Sequence, residues 1–162
     1  MGIWLVDRLK SLSYARVAFA VALACLIGVG LAEACSCISV SVREGVAKAD
    51  VVFRGTVIDI HDAKRDIITD ILQPPKRIAV FRVTRVWKGD VGQTLEMPAI
   101  ETNGVTCRGF RRQLLVVGNE LLVYAYEHKG EYLTDICSRT GLARQSKDFA
   151  ELGEGSAPAK QN

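Results

Sequence analysis

Thiols are the reactive groups whose spacing stands out in this chain. Two lie one residue apart in Cys35-Ser36-Cys37, and two more stand far downstream at Cys107 and Cys137. Neighbouring thiolates hold soft metals or cycle as a redox pair, whereas in an oxidising compartment they cross-link the fold. The tripeptide directly follows Ala32-Glu33-Ala34, whose small residues at alternate positions match the A-x-A pattern that signal peptidase reads. Cleavage after Ala34 would make Cys35 the first residue of the mature protein and give it a free α-amine. The fifth cysteine, Cys25, lies inside the apolar leader and would leave with it. Four thiols then imply two bridges. A Cys35–Cys37 bridge would close a strained ring across one residue, so two pairings stay open, both tying the tripeptide to Cys107 and Cys137.

Other chemistry finds little footing. The two histidines, His61 and His128, fall in predicted loops, without the spacing of a zinc helix or a hydrolase triad. Carboxylates are scattered, and no Gly-rich loop follows a strand to cradle a phosphate. The chain is therefore expected not to be an enzyme and to need no cofactor. Its formal net charge of +3 falls by one with the leader, which sets Arg8, Lys10 and Arg16 against Asp7 and Glu33. That balance argues against a nucleic-acid partner, and the cluster Arg108, Arg111 and Arg112 reads as a solvated face.

The leader itself is tripartite: a basic stretch to Arg16, an apolar run from Val17 to Val29, and a short cleavage region to Ala34. The apolar run falls short of the roughly 20 residues that span a bilayer, which favours a signal peptide over an anchor. A secreted protein is expected, extracellular or periplasmic, monomeric and free of the membrane after cleavage. Acylation of Cys35 in a lipoprotein would block both its amine and its thiol. Ala32 and Glu33, however, do not supply the aliphatic and small residues of a lipobox.

Several elements must position these groups. Val42 and Val46, four apart, suit one or two helical turns within Ser39 to Lys48. Val51 to Ile60 is the clearest strand, with Gly55 predicting a bulge or sharp bend. A long loop from His61 to Arg77 follows, then strands from Ile78 to Trp87 and Thr94 to Ala99, and a turn from Glu101 to Val105. Leu114 to Val117 reads as a brief strand, and Glu120 to Tyr126 as a strongly β-prone one. Lys129-Gly130 predicts a hairpin, Tyr132 to Cys137 its returning strand, and Arg144 to Leu152 a weak amphipathic helix. The pattern predicts an all-β fold, a small antiparallel Greek-key barrel with one or two short helices and two disulfides. Residues 1–34 form the expected signal peptide, 35–141 the barrel, and 142–162 a short helix and disordered tail.

Cys35-Ser36-Cys37, then Ala49-Asp50-Val51-Val52-Phe53-Arg54-Gly55, Trp87-Lys88-Gly89, Cys107, Val117-Gly118-Asn119-Glu120-Leu121-Leu122-Val123 and Cys137 occur in this order. Together they resemble the inhibitory domain of the tissue inhibitors of metalloproteinases. The resemblance runs from Cys35 to about Gly141 and implies an OB-type, netrin-like barrel with bridges Cys35–Cys107 and Cys37–Cys137. It implies a zinc metalloproteinase as partner. The Cys35 α-amine and carbonyl would sit on the partner's zinc, Ser36 would point to the primary specificity pocket, and Cys37, Ile38 and Ser39 would lie along the cleft. Val105 and Thr106 would support them from a second ridge. Amine and carbonyl of one residue close a five-membered ring on a metal that keeps an open position. Three features depart from the family: Ala47 stands where a third bridge begins, Ile38-Ser39-Val40 replaces a proline-containing segment, and a C-terminal domain is not expected. The competing expectation is a netrin-like binding module for a protein or glycan with no inhibitory action.

Overall fold

The computed structural model describes residue 19 and residues 35–63, 76–102 and 106–160. Apart from residue 19, the expected signal peptide lies outside the described residues, as do most of the long loop after β1 and Val105.

After an extended strap, Cys35 to Val40, Ser41 caps helix α1 (Val42–Lys48). Ser41 Oγ accepts from the Glu44 amide at 3.3 Å, and the Glu44 carboxylate accepts from the Ser41 amide at 2.9 Å. This reciprocal capping box gives a seven-residue helix a defined start. Its hydrogen bonds also hold the Glu44 carboxyl below its ordinary pKa.

The sheet follows: β1 (Val51–Asp62), β2 (Arg77–Lys88), β3 (Thr94–Pro98), β4 (Glu120–His128), β5 (Glu131–Leu133) and β6 (Gly141–Leu142). Its strand order is β3-β2-β1-β4-β5, all antiparallel, with β6 also paired to β4. Three hairpin-linked strands with the fourth returning beside the first make a Greek key. The sheet curls into a half-barrel in which β5 approaches β3, in line with the small Greek-key barrel that the strand pattern predicts and with the OB-type arrangement that the resemblance implied. Register shifts between Val52 and Phe53, Arg54 and Gly55, and Val57 and Asp59 bend β1 across β2. Gly55 fits that bend because a Cβ there would lie 3.1 Å from the Arg82 carbonyl and 3.2 Å from the Phe53 ring. The turn from β4 to β5 uses Lys129 (φ 55°) and Gly130 (φ 80°), the pair of positive φ values that a tight hairpin demands.

Two apolar clusters explain the near-continuous hydrophobic runs of β1 and β4. Inside the curl lie Val51, Phe53, Phe81, Met97, Phe110, Leu121 and Val123. Phe81 stacks on Phe110 with centroids 6.0 Å apart and meets Phe53 edge-on at 5.6 Å. On the outer face, Val52, Leu122 and Tyr124 are buried with Ala49 and packed by Val46, Trp87, Phe149 and Leu152. Both faces of β1 and β4 are therefore covered where helices lie on the sheet.

Five expectations need correction. Leu114 to Val117 is not a strand: a 3-10 turn, Arg112–Leu114, buries Leu114 and Leu115 while Val116 and Val117 are exposed. Asn119 Nδ2 enforces this by donating to the carbonyls of Gln113 and Leu114 at 3.1 and 3.2 Å. The strand expected over Tyr132 to Cys137 ends at Leu133, because Thr134 turns its hydroxyl inward to the Tyr124 carbonyl at 2.9 Å. The helix expected over Arg144 to Leu152 splits into a 3-10 turn (Ala143–Gln145) and a single α-turn, α2 (Phe149–Leu152). The expected disordered tail is docked as far as it is described. Ser156 exchanges two backbone hydrogen bonds with Val86, at 2.8 and 2.9 Å, and Ala159 donates to Val91. Trp87 Nε1 donates to the Gly153 carbonyl at 2.9 Å, and a Cβ at Gly155 (φ 67°) would lie 2.9 Å from the Trp87 ring. Small residues fit there because they let the backbone reach the indole. His61 and His128, expected in loops, lie within the ends of β1 and β4.

Candidate functional site

The strap is an exposed segment that two disulfides fix in place. Cys35 is half-buried, Ser36 to Ser39 are exposed, and Ile38 presents 87% of its surface. Two disulfides hold it: Cys35–Cys107, with Cα atoms 5.5 Å apart, and Cys37–Cys137, 5.0 Å apart. The pairing left open by counting thiols is thereby settled, in favour of the one that the resemblance implied. The bridges close separations of 72 and 100 residues.

Their anchor points form a platform of two paired segments. The Ile136 amide donates to the Cys107 carbonyl at 2.9 Å, the Gly109 amide to Thr134 at 2.7 Å, and Arg108 bridges antiparallel to Asp135. Asp135 Oδ1 accepts from the Cys137 amide at 2.8 Å. Close to Cys137 in the chain, Thr134 Oγ1 lies 2.9 Å from Ser138 Oγ and 2.8 Å from Thr140 Oγ1, and the Thr134 and Thr140 hydroxyls are tied to the β4 backbone at Tyr124. Buried polar groups here are mutually satisfied, so the shelf under the strap is stiff.

Of the residues singled out in the sequence, Cys35, Ser36, Cys37, Ile38 and Ser39 form the strap itself. Thr106 is exposed and directly precedes Cys107, the cysteine bonded to Cys35. Val105 lies outside the described residues.

Three residues that sequence reasoning missed complete the surroundings. Arg139 holds Asp148 through two contacts, Nε to Oδ2 at 2.7 Å and Nη2 to Oδ1, and its Nη1 donates to the Val40 carbonyl. Tyr124 Oη donates to Asp148 Oδ2 at 2.8 Å. Asp148 is 4% exposed, and the Arg139 guanidinium keeps its carboxyl below the ordinary carboxylate range despite burial. Burial, together with the hydrogen bond to that carboxylate, raises the Tyr124 phenol, so it remains a donor at physiological pH. Separations of nine and 24 residues carry no motif signal, and no pattern in the sequence could have found the trio.

Beside the strap runs an open groove of about 540 Å³, bounded by Cys37, Ile38, Val40, Arg111, Thr140 and Lys147 among others. Among the described residues, no group of three or more His, Cys, Asp and Glu side chains could hold a metal ion, and no helix is long and apolar enough to cross a membrane. The strap is thus an exposed edge fixed by two disulfides. Comparison of the chain with models of known protein families and with curated proteins gives no match.

Proposed function

We propose that the mature chain is a secreted, non-catalytic inhibitor of zinc metalloproteinases, working through the N-terminus that cleavage after Ala34 would create. The observation that carries this reading is the strap, mostly exposed and bound through both of its cysteines to a stiff platform, directly after an A-x-A site. In it the α-amine nitrogen and carbonyl oxygen of Cys35 chelate the partner's zinc and displace its bound water. Ser36 enters the primary specificity pocket, and Cys37, Ile38 and Ser39 occupy the cleft beyond it. Thr106 and Val105 flank them from the neighbouring loop. Cross-linking lowers the conformational entropy lost when the edge inserts. A protease gains no turnover from such a ligand, since the zinc is engaged by a chain terminus and not by a scissile bond.

The resemblance to tissue inhibitors of metalloproteinases supports the same reading through the spacing of its motifs. The experiment is a titration of zinc endopeptidase catalytic domains with mature protein that begins at Cys35. Stoichiometric loss of peptide hydrolysis is expected from at least one of them. Full activity across the panel, with the terminus verified by sequencing, would sink the proposal. The groove beside the strap favours a second reading, a netrin-like module that binds a protein or glycan without inhibiting a protease.

A further inference from the structure

Cysteines fix the strap only as far as Cys37. Between there and the Ser41 cap, Ile38, Ser39 and Val40 belong to no strand or helix. Among the described residues, the one hydrogen bond made to these three comes from Arg139 Nη1 to the Val40 carbonyl. We infer that Arg139 is a positioning residue for the strap, its guanidinium fastened to Asp148 on one side and holding the Val40 carbonyl on the other. The inference deepens the proposed inhibitory role and rests on it only for its effect on a protease.

Three independent features fit this role. A planar fork is required: Nε and Nη2 face the two Asp148 oxygens while Nη1 remains for the strap, a division that a point-charge ammonium cannot reproduce. Asp148 is oriented by the Tyr124 phenol at 2.8 Å and by its position between a 3-10 turn and α2. Space is also reserved for the arginine stem. Gly45 sits in the middle of α1, where glycine costs about 0.5–1 kcal/mol relative to alanine, and a Cβ there would lie 2.9 Å from Arg139 Cδ. The C-terminal segment thus sets the angle at which the N-terminal edge leaves the barrel.

The test uses the mature, fully oxidised protein. Backbone 15N order parameters of Ile38, Ser39 and Val40 are measured in the wild type and in R139K, R139Q, D148N and Y124F. Values near 0.85 are expected for wild type and Y124F, which retains the Arg139–Asp148 pair. Values below about 0.6 are expected for R139K, R139Q and D148N, with β1 and β4 unchanged. Failure of lysine to rescue separates a fork that positions from a charge that merely stabilises. If any variant fails to fold, G45A tests the same clamp by crowding the arginine stem, and a mobile strap is again the expected result. Unchanged order in R139K and G45A would overturn the inference. Inhibition is read separately: R139K is expected to weaken it roughly tenfold or more, the loss of one charge-assisted hydrogen bond. A strap loosened by R139K in a protein that inhibits no protease would leave the clamp standing and remove the inhibitor reading alone.

Discussion

At the scale of single residues, Asp148 is where charge, burial and position meet. Arg139 holds its carboxyl below the ordinary range, so the unfolded chain takes up that proton at a higher pH than the folded one. The stability it contributes is fully present above the unfolded value of about 3.9 and is lost as pH falls through the lower folded value. D148N is expected to cost about 3 kcal/mol at pH 7, since Arg139 would be left without its counter-charge. It should also flatten the acid limb of the stability profile, which urea unfolding between pH 2 and 7 would measure. An unchanged acid limb would show that other carboxylates govern acid unfolding. In the proposed inhibitor, the α-amine of a mature Cys35 would titrate in the opposite sense for binding. Only its neutral form can ligate zinc, and a free α-amine has a pKa of about 7.7–8.0. Inhibition is therefore expected to weaken about tenfold per pH unit below neutrality, and a flat inhibition constant between pH 6 and 8 would exclude the amine as ligand.

Among the elements, the disulfides and the bent strands make separable contributions. Closing separations of 72 and 100 residues restricts the unfolded chain, and removing either bridge as a paired Cys→Ser variant is expected to cost about 2–5 kcal/mol. Guanidinium unfolding of C37S/C137S checks this; stability equal to wild type would mean that the bridge constrains nothing. G55A should cost about 1–3 kcal/mol, because its methyl must displace the Phe53 ring or the Arg82 carbonyl. Much of this architecture was legible. Val51 to Ile60 and Ile78 to Trp87 announce themselves by β-branched residues, and the Gly55 bend by a glycine inside a strand. Leu114 to Val117 misled because four apolar residues in a row look alike in a strand and in a tight turn, and only the Asn119 side chain decides between them. Thr134 ended β5 early through a hydroxyl contact that composition does not reveal. The tail was missed for the opposite reason. Gly153 to Lys160 is polar and small, as loose termini are, yet smallness is what lets Gly155 and Ser156 lie against Trp87 and Val86.

For residues 35–160 as a whole, segments far apart in the sequence support one edge. The strap is pinned by cysteines from the middle of the sequence and by Arg139, which a C-terminal aspartate orients. Removing residues 153–160 should loosen Trp87 and lower stability without freeing the strap, since those residues contact β2 and the turn after it. Thermal unfolding combined with the strap's order parameters would register the two effects apart, and a mobile strap in the truncated protein would contradict this division. The strap's cysteine pairing was implied by the resemblance and is present in the structure, while Arg139 and the hydroxyl shelf came only from the folded chain. The central claim concerns the terminal nitrogen of Cys35, and its most direct measurement compares three forms of one protein against one sensitive zinc endopeptidase. These are the form beginning at Cys35, the form retaining Ala34, and the form acetylated at Cys35. The first alone is expected to inhibit, with the other two weaker by at least about a hundredfold, since each loses a metal ligand, and with all three equally stable. Equal potency of the three would contradict the account.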